Sequence, residues 1–258
     1  MTAKVNGHAA LYPSLKGRRV VVTGGGSGIG AALTEGFARQ GAQVAFIDVA
    51  EEMSRALDQS LSGLDPAPNY YHCALTDVEA LRAVMARIEA DLGAVDVLVN
   101  NAANDDRHRI GEVTPAYWDN RIAVNLRHQF FASQAVIAGM REKGQGVIVN
   151  LGSLSWHLGL ADLSVYETAK AGVEGMTRAM ARELGGDGIR VVCIVPGNVK
   201  TPRQSQWYTP EQEADIVAQQ ALKFRIEPTD IAAVAMFLAS DDARACTGHE
   251  YIVDAGWR

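Results

Sequence analysis

The segment Arg19–Gly41, RVVVTGGGSGIGAALTEGFARQG, constrains this chain more than any other. Val20, Val21 and Val22 form a short β-branched run suited to a strand covered on both faces. Glycines then crowd a turn at positions 24, 25, 26, 28 and 30. Ala31, Leu33, Phe37 and Ala38 follow at helical spacing, and Gly41 stands where a helix C-terminal cap would. A strand, a glycine turn and a helix N-terminus together seat a pyrophosphate. Glycine lets the backbone approach the ligand, and the first-turn N–H groups with the positive dipole end face its charge.

The spacing is Gly24-x-x-x-Gly28-x-Gly30, and its context matters more than the glycines, which any tight turn favours. Eighteen residues past Gly30, the apolar run Val44–Ile47 ends in Asp48. A carboxylate at the tip of a second strand can accept hydrogen bonds from ribose hydroxyls of an adenine dinucleotide. Coupled to the turn, Asp48 makes a dinucleotide the expected ligand. It also makes NAD the expected form, because a 2′-phosphate would face like charge and neither Ser27 nor Val49 supplies a compensating base.

The rest of the chain extends the same pattern. Strand-like runs at 19–23, 43–48, 69–73, 95–99, 146–151, 189–195 and 250–253 alternate with helical patterns near 28–40, 50–61, 77–91, 115–141, 165–185 and 229–240. That alternation predicts an α/β fold: one Rossmann-type, doubly wound sheet of about seven parallel strands with helices on both faces. The 258 residues suit a single domain, and no linker, repeat or low-complexity tract divides them. Residues 1–17 read as an irregular leader without an apolar run, so neither a signal peptide nor a membrane span is expected, and the cytoplasm is the expected compartment. A net charge of -6 argues against nucleic acid and anionic membranes as partners. Cys73 and Cys193 sit in apolar runs and Cys246 stands apart, which points to reduced thiols, and six scattered histidines lack ligand spacing, so no metal is expected. Residues 197–228 break the rhythm with Pro202, Pro210 and the pair Trp207–Tyr208. An insert after the sixth strand lies where open α/β sheets bind ligands, so it reads as a substrate lid.

The chemistry centres on YETAK. Tyr166 and Lys170 stand four residues apart, on one helix face one turn apart. An ammonium near a phenol favours the phenolate, which can take a proton from an alcohol while hydride leaves its carbon. Alone, such a pair is usually a solvated helix face. Ser153, at the end of the run VIVNLGS, adds a hydroxyl able to polarise the reacting oxygen. Asn125 lies within the long 115–141 pattern, and Asn100 and Asn101 follow the fourth strand.

In this order the segments TGGGSGIG, NNAA, the Asn125 helix, the Ser153 strand, YETAK and PGNVKT closely resemble the short-chain dehydrogenases/reductases over nearly the whole chain. The resemblance implies a catalytic tetrad of Asn125, Ser153, Tyr166 and Lys170. Tyrosine is then the acid/base and serine the holder of the substrate oxygen. Lysine binds the nicotinamide ribose and lowers the tyrosine pKa, and asparagine supports a proton-relay water. It further implies cofactor contacts from Gly24, Ser27, Gly28, Ile29, Gly30, Asp48, Leu75, Asn101, Ala102, Pro196, Gly197, Val199 and Thr201, besides Tyr166 and Lys170. Two departures stand out: Ala74–Leu75 where Asp-Val is frequent, and Ala103 where the NNAG signature has glycine.

Within the family, NDDRH, SWHLGL, WYTPE and the terminal DAGWR resemble the aldose 1-dehydrogenases. This implies oxidation of C1 of a cyclic aldopentose to its 1,5-lactone, with D-xylose first and L-arabinose its rival. Asn104, Ser153, Trp156, Tyr166, Asn198 and Trp207 are then the expected substrate contacts, and a homotetramer the expected assembly. Two other readings compete: a ketoreductase or secondary-alcohol dehydrogenase on the same fold, and a catalytically silent dinucleotide-binding regulator. Substrate turnover separates all three.

Overall fold

The structure is a computed structural model that describes residues 10–205 and 208–258. Seven strands form one parallel sheet: β1 (Arg19–Thr23), β2 (Gln43–Asp48), β3 (Asn69–His72), β4 (Val97–Asn100), β5 (Gly146–Leu151), β6 (Ile189–Pro196) and β7 (Glu250–Val253). Their spatial order is β3-β2-β1-β4-β5-β6-β7. The chain therefore reverses direction across the sheet between β1 and β4, the switch point outside which such sheets bind ligands.

Because both faces are covered, the strands are apolar on both sides. Val20, Val22, Val44 and Phe46 pack into one core layer with Leu33 and Phe37 of α1 (Gly28–Arg39). Val21, Ala45, Ile47 and Leu98 pack into the other, with Leu81, Met85 and Ile88. These last belong to α3 (Val78–Leu92), which follows α2 (Glu51–Leu61) in the chain. Asp77 starts α3 by accepting hydrogen bonds from the Glu79 and Ala80 amides.

The expected helix 115–141 is three pieces in continuous succession: α4 (Pro115–Ile122), a π-turn (Ala123–Arg127) and α5 (His128–Lys143). The widened turn carries Asn125 and frees local backbone groups, a frequent arrangement at functional sites. A one-turn α6 (Ser155–Leu158) precedes α7 (Ser164–Leu184), whose N-terminal half bears Tyr166 and Lys170. The lid region contains α8 (Pro202–Ser205) and α9 (Pro210–Gln219), and α10 (Pro228–Ala239) returns to the α1 layer. Val199 pairs with Ile226 in a bridge that closes the base of the 197–228 segment.

Two expectations need correction here. The fourth strand runs from Val97, not residue 95, because the Asp96 carboxylate turns aside to accept the Arg19 amide at 2.8 Å and the Lys143 ammonium at 2.7 Å. The leader is not wholly irregular either: Pro13–Leu15 form a turn of 3₁₀ helix and Leu15 is fully buried against the α1 layer. Residues 1–9 lie outside the described residues.

Candidate active site

The C-terminal ends of β1, β2, β4, β5 and β6 open into a cavity of about 770 Å³. Its cofactor half is built by the glycine turn. A Cβ on Gly30 would run into the Gly24 carbonyl, and Gly28 sits at φ +53°, so both positions require glycine. Asn101 staples this turn, its amide nitrogen donating to the Thr23 and Gly24 carbonyls at 3.0 and 2.9 Å. Ser27 is the N-cap of α1 yet its side chain caps nothing, which leaves the first-turn N–H groups and the hydroxyl for an anion.

Asp48, at the tip of β2, accepts the Gly26 and Ala50 amides at 2.9 Å each, so its carboxylate is fixed at the cavity edge. Leu75, Ala102, Pro196, Gly197, Val199 and Thr201 line the same space, as do Ile29, Tyr166 and Lys170. Every residue assigned from sequence to the cofactor side is among the lining residues. The donor set, the cradle and the fixed carboxylate fit a dinucleotide.

The reacting half lies between β5 and α7. The Ser153 hydroxyl is 2.9 Å from that of Ser155 and accepts the Ser155 amide at 3.2 Å, so its position is set locally. Lys170 is buried and donates to the Leu151 carbonyl at 2.7 Å, with its nitrogen 5.6 Å from the centre of the Tyr166 ring. Burial pushes the Tyr166 phenol well above its ordinary range, and the Asp105 charge adds to this, while a Ser153 hydrogen bond and the Arg203 charge pull the other way. Burial also lowers the Lys170 ammonium to about 8. In this arrangement desolvation is the largest influence on the phenol, and the Lys170 ammonium is engaged by the Leu151 carbonyl.

Asn125 is fully buried behind the wall of the cavity. Its side chain accepts the Asn104 amide at 2.8 Å and donates to the Asn104 and Arg121 carbonyls at 3.0 and 2.9 Å. It thereby locks the backbone at the start of the 104–108 loop. Asn100 is a core amide, donating to Ser133 and Asn150, and has no part in the cavity.

The sugar-side assignments fare unevenly. Ser153, Tyr166, Asn104 and Asn198 line the cavity. Asn198, however, has both ends of its amide engaged, donating to the Tyr208 hydroxyl at 3.1 Å and accepting from Arg225 at 2.8 Å. Trp156 is a correction: it is not a cavity residue, because its indole N–H donates to buried Glu174 at 2.7 Å. His157 is drawn the same way, 2.9 Å from Glu174, while Arg258 donates to its other ring nitrogen at 2.7 Å. Trp207 lies outside the described residues. Sequence reasoning gave no assignment to Arg203, Tyr208 or Trp257, all of which line the cavity.

Comparison with known proteins agrees with this architecture. Residues 24–258 match the family described as enoyl-(acyl carrier protein) reductase. A D-xylose 1-dehydrogenase of Caulobacter vibrioides is 65% identical over 250 residues, covering 97% of this chain and 99% of the relative. A probable galactose dehydrogenase, GalD, of Rhizobium meliloti is 47% identical over 250 residues, covering 96% of this chain and 98% of the relative. The solved structure described as the crystal structure of gox2181 superposes with a TM-score of 0.88 at 30% identity, covering 95% of this chain and 98% of that one. With the glycine turn, the Ser153–Tyr166–Lys170 arrangement and these near full-length matches in place, the chain belongs to the short-chain dehydrogenase/reductase family and is an oxidoreductase.

Proposed function

We propose that this protein is an NAD-dependent aldose 1-dehydrogenase that oxidises C1 of a cyclic aldopentose, D-xylose first, to the 1,5-lactone. The observation that carries this reading is the 65% identity to a D-xylose 1-dehydrogenase across 97% of the chain. The cavity supports it: the reacting groups stand beside a wall of polar and charged side chains, Asn104, Asp105 and Arg203 among them, of the kind a polyol requires.

A nicotinamide cofactor, when bound, supplies the acceptor for the hydride. Ser153 holds O1 of the sugar by hydrogen bonding. Tyr166, as phenolate, takes the O1 proton as the C1–H bond breaks with its electron pair, and the C1–O1 bond becomes the lactone carbonyl. The ring oxygen supports the developing positive character at C1, so the ring need not open. Lys170 would hold the nicotinamide ribose and offset charge at Tyr166. Asn125 fixes the Asn104 backbone, with a relay water as its further expected task. Asp48 favours NAD over NADP, because a 2′-phosphate would approach a carboxylate already anchored by two backbone amides.

We further propose a homotetramer in the cytoplasm. Gly175 and Ala138 are exposed on α7 and α5, and Phe130 of α5 and Trp118 of α4 are exposed large hydrophobic residues. Ala132 by contrast is buried within the subunit. Among the described residues no helix is long and apolar enough to cross a membrane. The test of the function is NADH formation with single aldoses, followed by identification of the product. D-xylonolactone from D-xylose supports the reading, and turnover of simple secondary alcohols without any aldose would overturn it. A hexose such as galactose is a second substrate to assay, given the Rhizobium relative.

A further inference from the structure

The 104–106 loop and the lid helix α8 face each other across the mouth of the cavity, and the contacts between them are uneven. Arg203 donates to Asp106 at 2.6 Å and to the Asn104 side-chain oxygen at 3.1 Å. Arg121 holds the other Asp106 oxygen at 2.9 Å. The Asn104 side-chain oxygen also accepts the Asp106 amide at 2.9 Å, so that acceptor is already used twice. Asp105 differs: its carboxylate lies 3.3 Å from Arg203, outside good hydrogen-bond distance, and is 30% exposed. Its backbone neighbour Asn104 is clamped from below by Asn125. Asp105 therefore stands on a fixed backbone, beside a fixed guanidinium, lining the same cavity as Tyr166 and Ser153.

We propose that Asp105 is the residue that reads the sugar, accepting hydrogen bonds from ring hydroxyls away from C1, with Arg203 of the lid holding it in place. This rests on the aldose reading above. Three features support it. A carboxylate is an acceptor only, and vicinal hydroxyls are donors that its two oxygens can receive together. Its charge is felt at the Tyr166 phenol, which places it near the reacting centre. It would also repel sugar acids and sugar phosphates, so the site selects neutral polyols.

The test compares D-xylose with 2-hydroxytetrahydropyran, a cyclic hemiacetal that keeps the reacting C1 hydroxyl and ring oxygen but has no other hydroxyl. Wild type should prefer D-xylose in kcat/KM. Asp105→Asn should lower kcat/KM for D-xylose roughly 10- to 100-fold, the loss expected for a hydrogen bond to a charged group, and leave the unsubstituted hemiacetal nearly unchanged. Any change in the acidity of Tyr166 affects both substrates alike and cancels in the ratio. Arg203→Gln should shift the ratio in the same direction by a smaller factor, through a raised KM for D-xylose. NADH affinity in each variant should match wild type, which shows that the fold and cofactor half are intact. An unchanged substrate ratio in both variants would overturn the role of Asp105. Wild-type failure to oxidise any aldose would instead overturn the aldose reading itself.

Discussion

The two halves of the reacting site are built differently. The floor comprises Ser153 at the end of β5 and Tyr166 with Lys170 on α7. It is anchored by buried backbone and side-chain contacts such as Lys170 to Leu151. The wall, formed by the 104–106 loop and α8, is held by charge pairs whose partners are 16% to 46% exposed. Exposed ion pairs contribute roughly 0–1 kcal/mol each, whereas a buried ammonium that loses its partner costs several times that. The floor is thus held from the interior, whereas the wall has its backbone pinned at Asn104 by Asn125 and its side chains held by weaker, partly exposed pairs. A fold of this kind can change substrate by rewriting its wall while its floor stays the same.

The largest expected effect comes from breaking the floor. Tyr166→Phe should lower kcat by about 10³-fold, within the range for loss of a positioned acid/base, while NADH affinity measured by fluorescence titration stays within about twofold. Retention of most of the activity would move the proton transfer elsewhere.

The second effect is on stability. Burial lowers the Lys170 pKa from 10.5 to about 8, so between those values the unfolded chain binds more protons than the folded one and stability rises with pH. Below pH 8 the full penalty, on the order of 3 kcal/mol, is present. Tyr166 acts with the opposite sign: its raised pKa means stability is lost as pH climbs past 10. The Tm difference between wild type and Lys170→Met isolates the lysine. It should favour the methionine variant most at pH 7.5 and shrink as pH rises toward 10. A difference independent of pH would show that the ammonium is not buried as described.

A third, intermediate effect tests the cofactor half. Asp48→Ala should weaken NAD and narrow the NAD/NADP preference by roughly 10-fold, the size of one charge-assisted contact. The assay is kcat/KM with each cofactor, and a wild type that already prefers NADP would contradict the assignment. The smallest effect belongs to the wall. Arg121→Gln should cost at most about 1 kcal/mol in unfolding free energy while raising the D-xylose KM severalfold, because Asp106 loses one of its two guanidinium partners. Steady-state kinetics beside thermal melts would show whether binding and stability separate in this way.

The same contrast explains what the sequence reveals. The floor is legible because its parts are short-range and periodic: a glycine turn, a strand end, and Tyr166 one helical turn from Lys170. The glycine turn and Asp48 follow from that pattern, the remaining cofactor-side positions are implied by the family resemblance, and all fifteen line the cavity. The wall is legible only in part: Asn104 is expected there and lines the cavity, but the contacts that hold the wall join residues far apart in the chain, as Arg203 to Asp106 does across 97 positions. Trp156 and Asn198 look like sugar ligands by composition, and only the fold reveals that Glu174, Tyr208 and Arg225 occupy their polar atoms. The π-turn at Asn125 escapes because one extra residue in a turn leaves the apolar spacing on either side nearly helical.

The central claim is oxidation at C1 of a cyclic aldose, and deuterium at that carbon tests it most directly. D-xylose carrying deuterium at C1 should transfer it to the nicotinamide, giving deuterated NADH by mass spectrometry and unlabelled xylonolactone. Reduced cofactor without deuterium, or no reduced cofactor at all, would contradict the account.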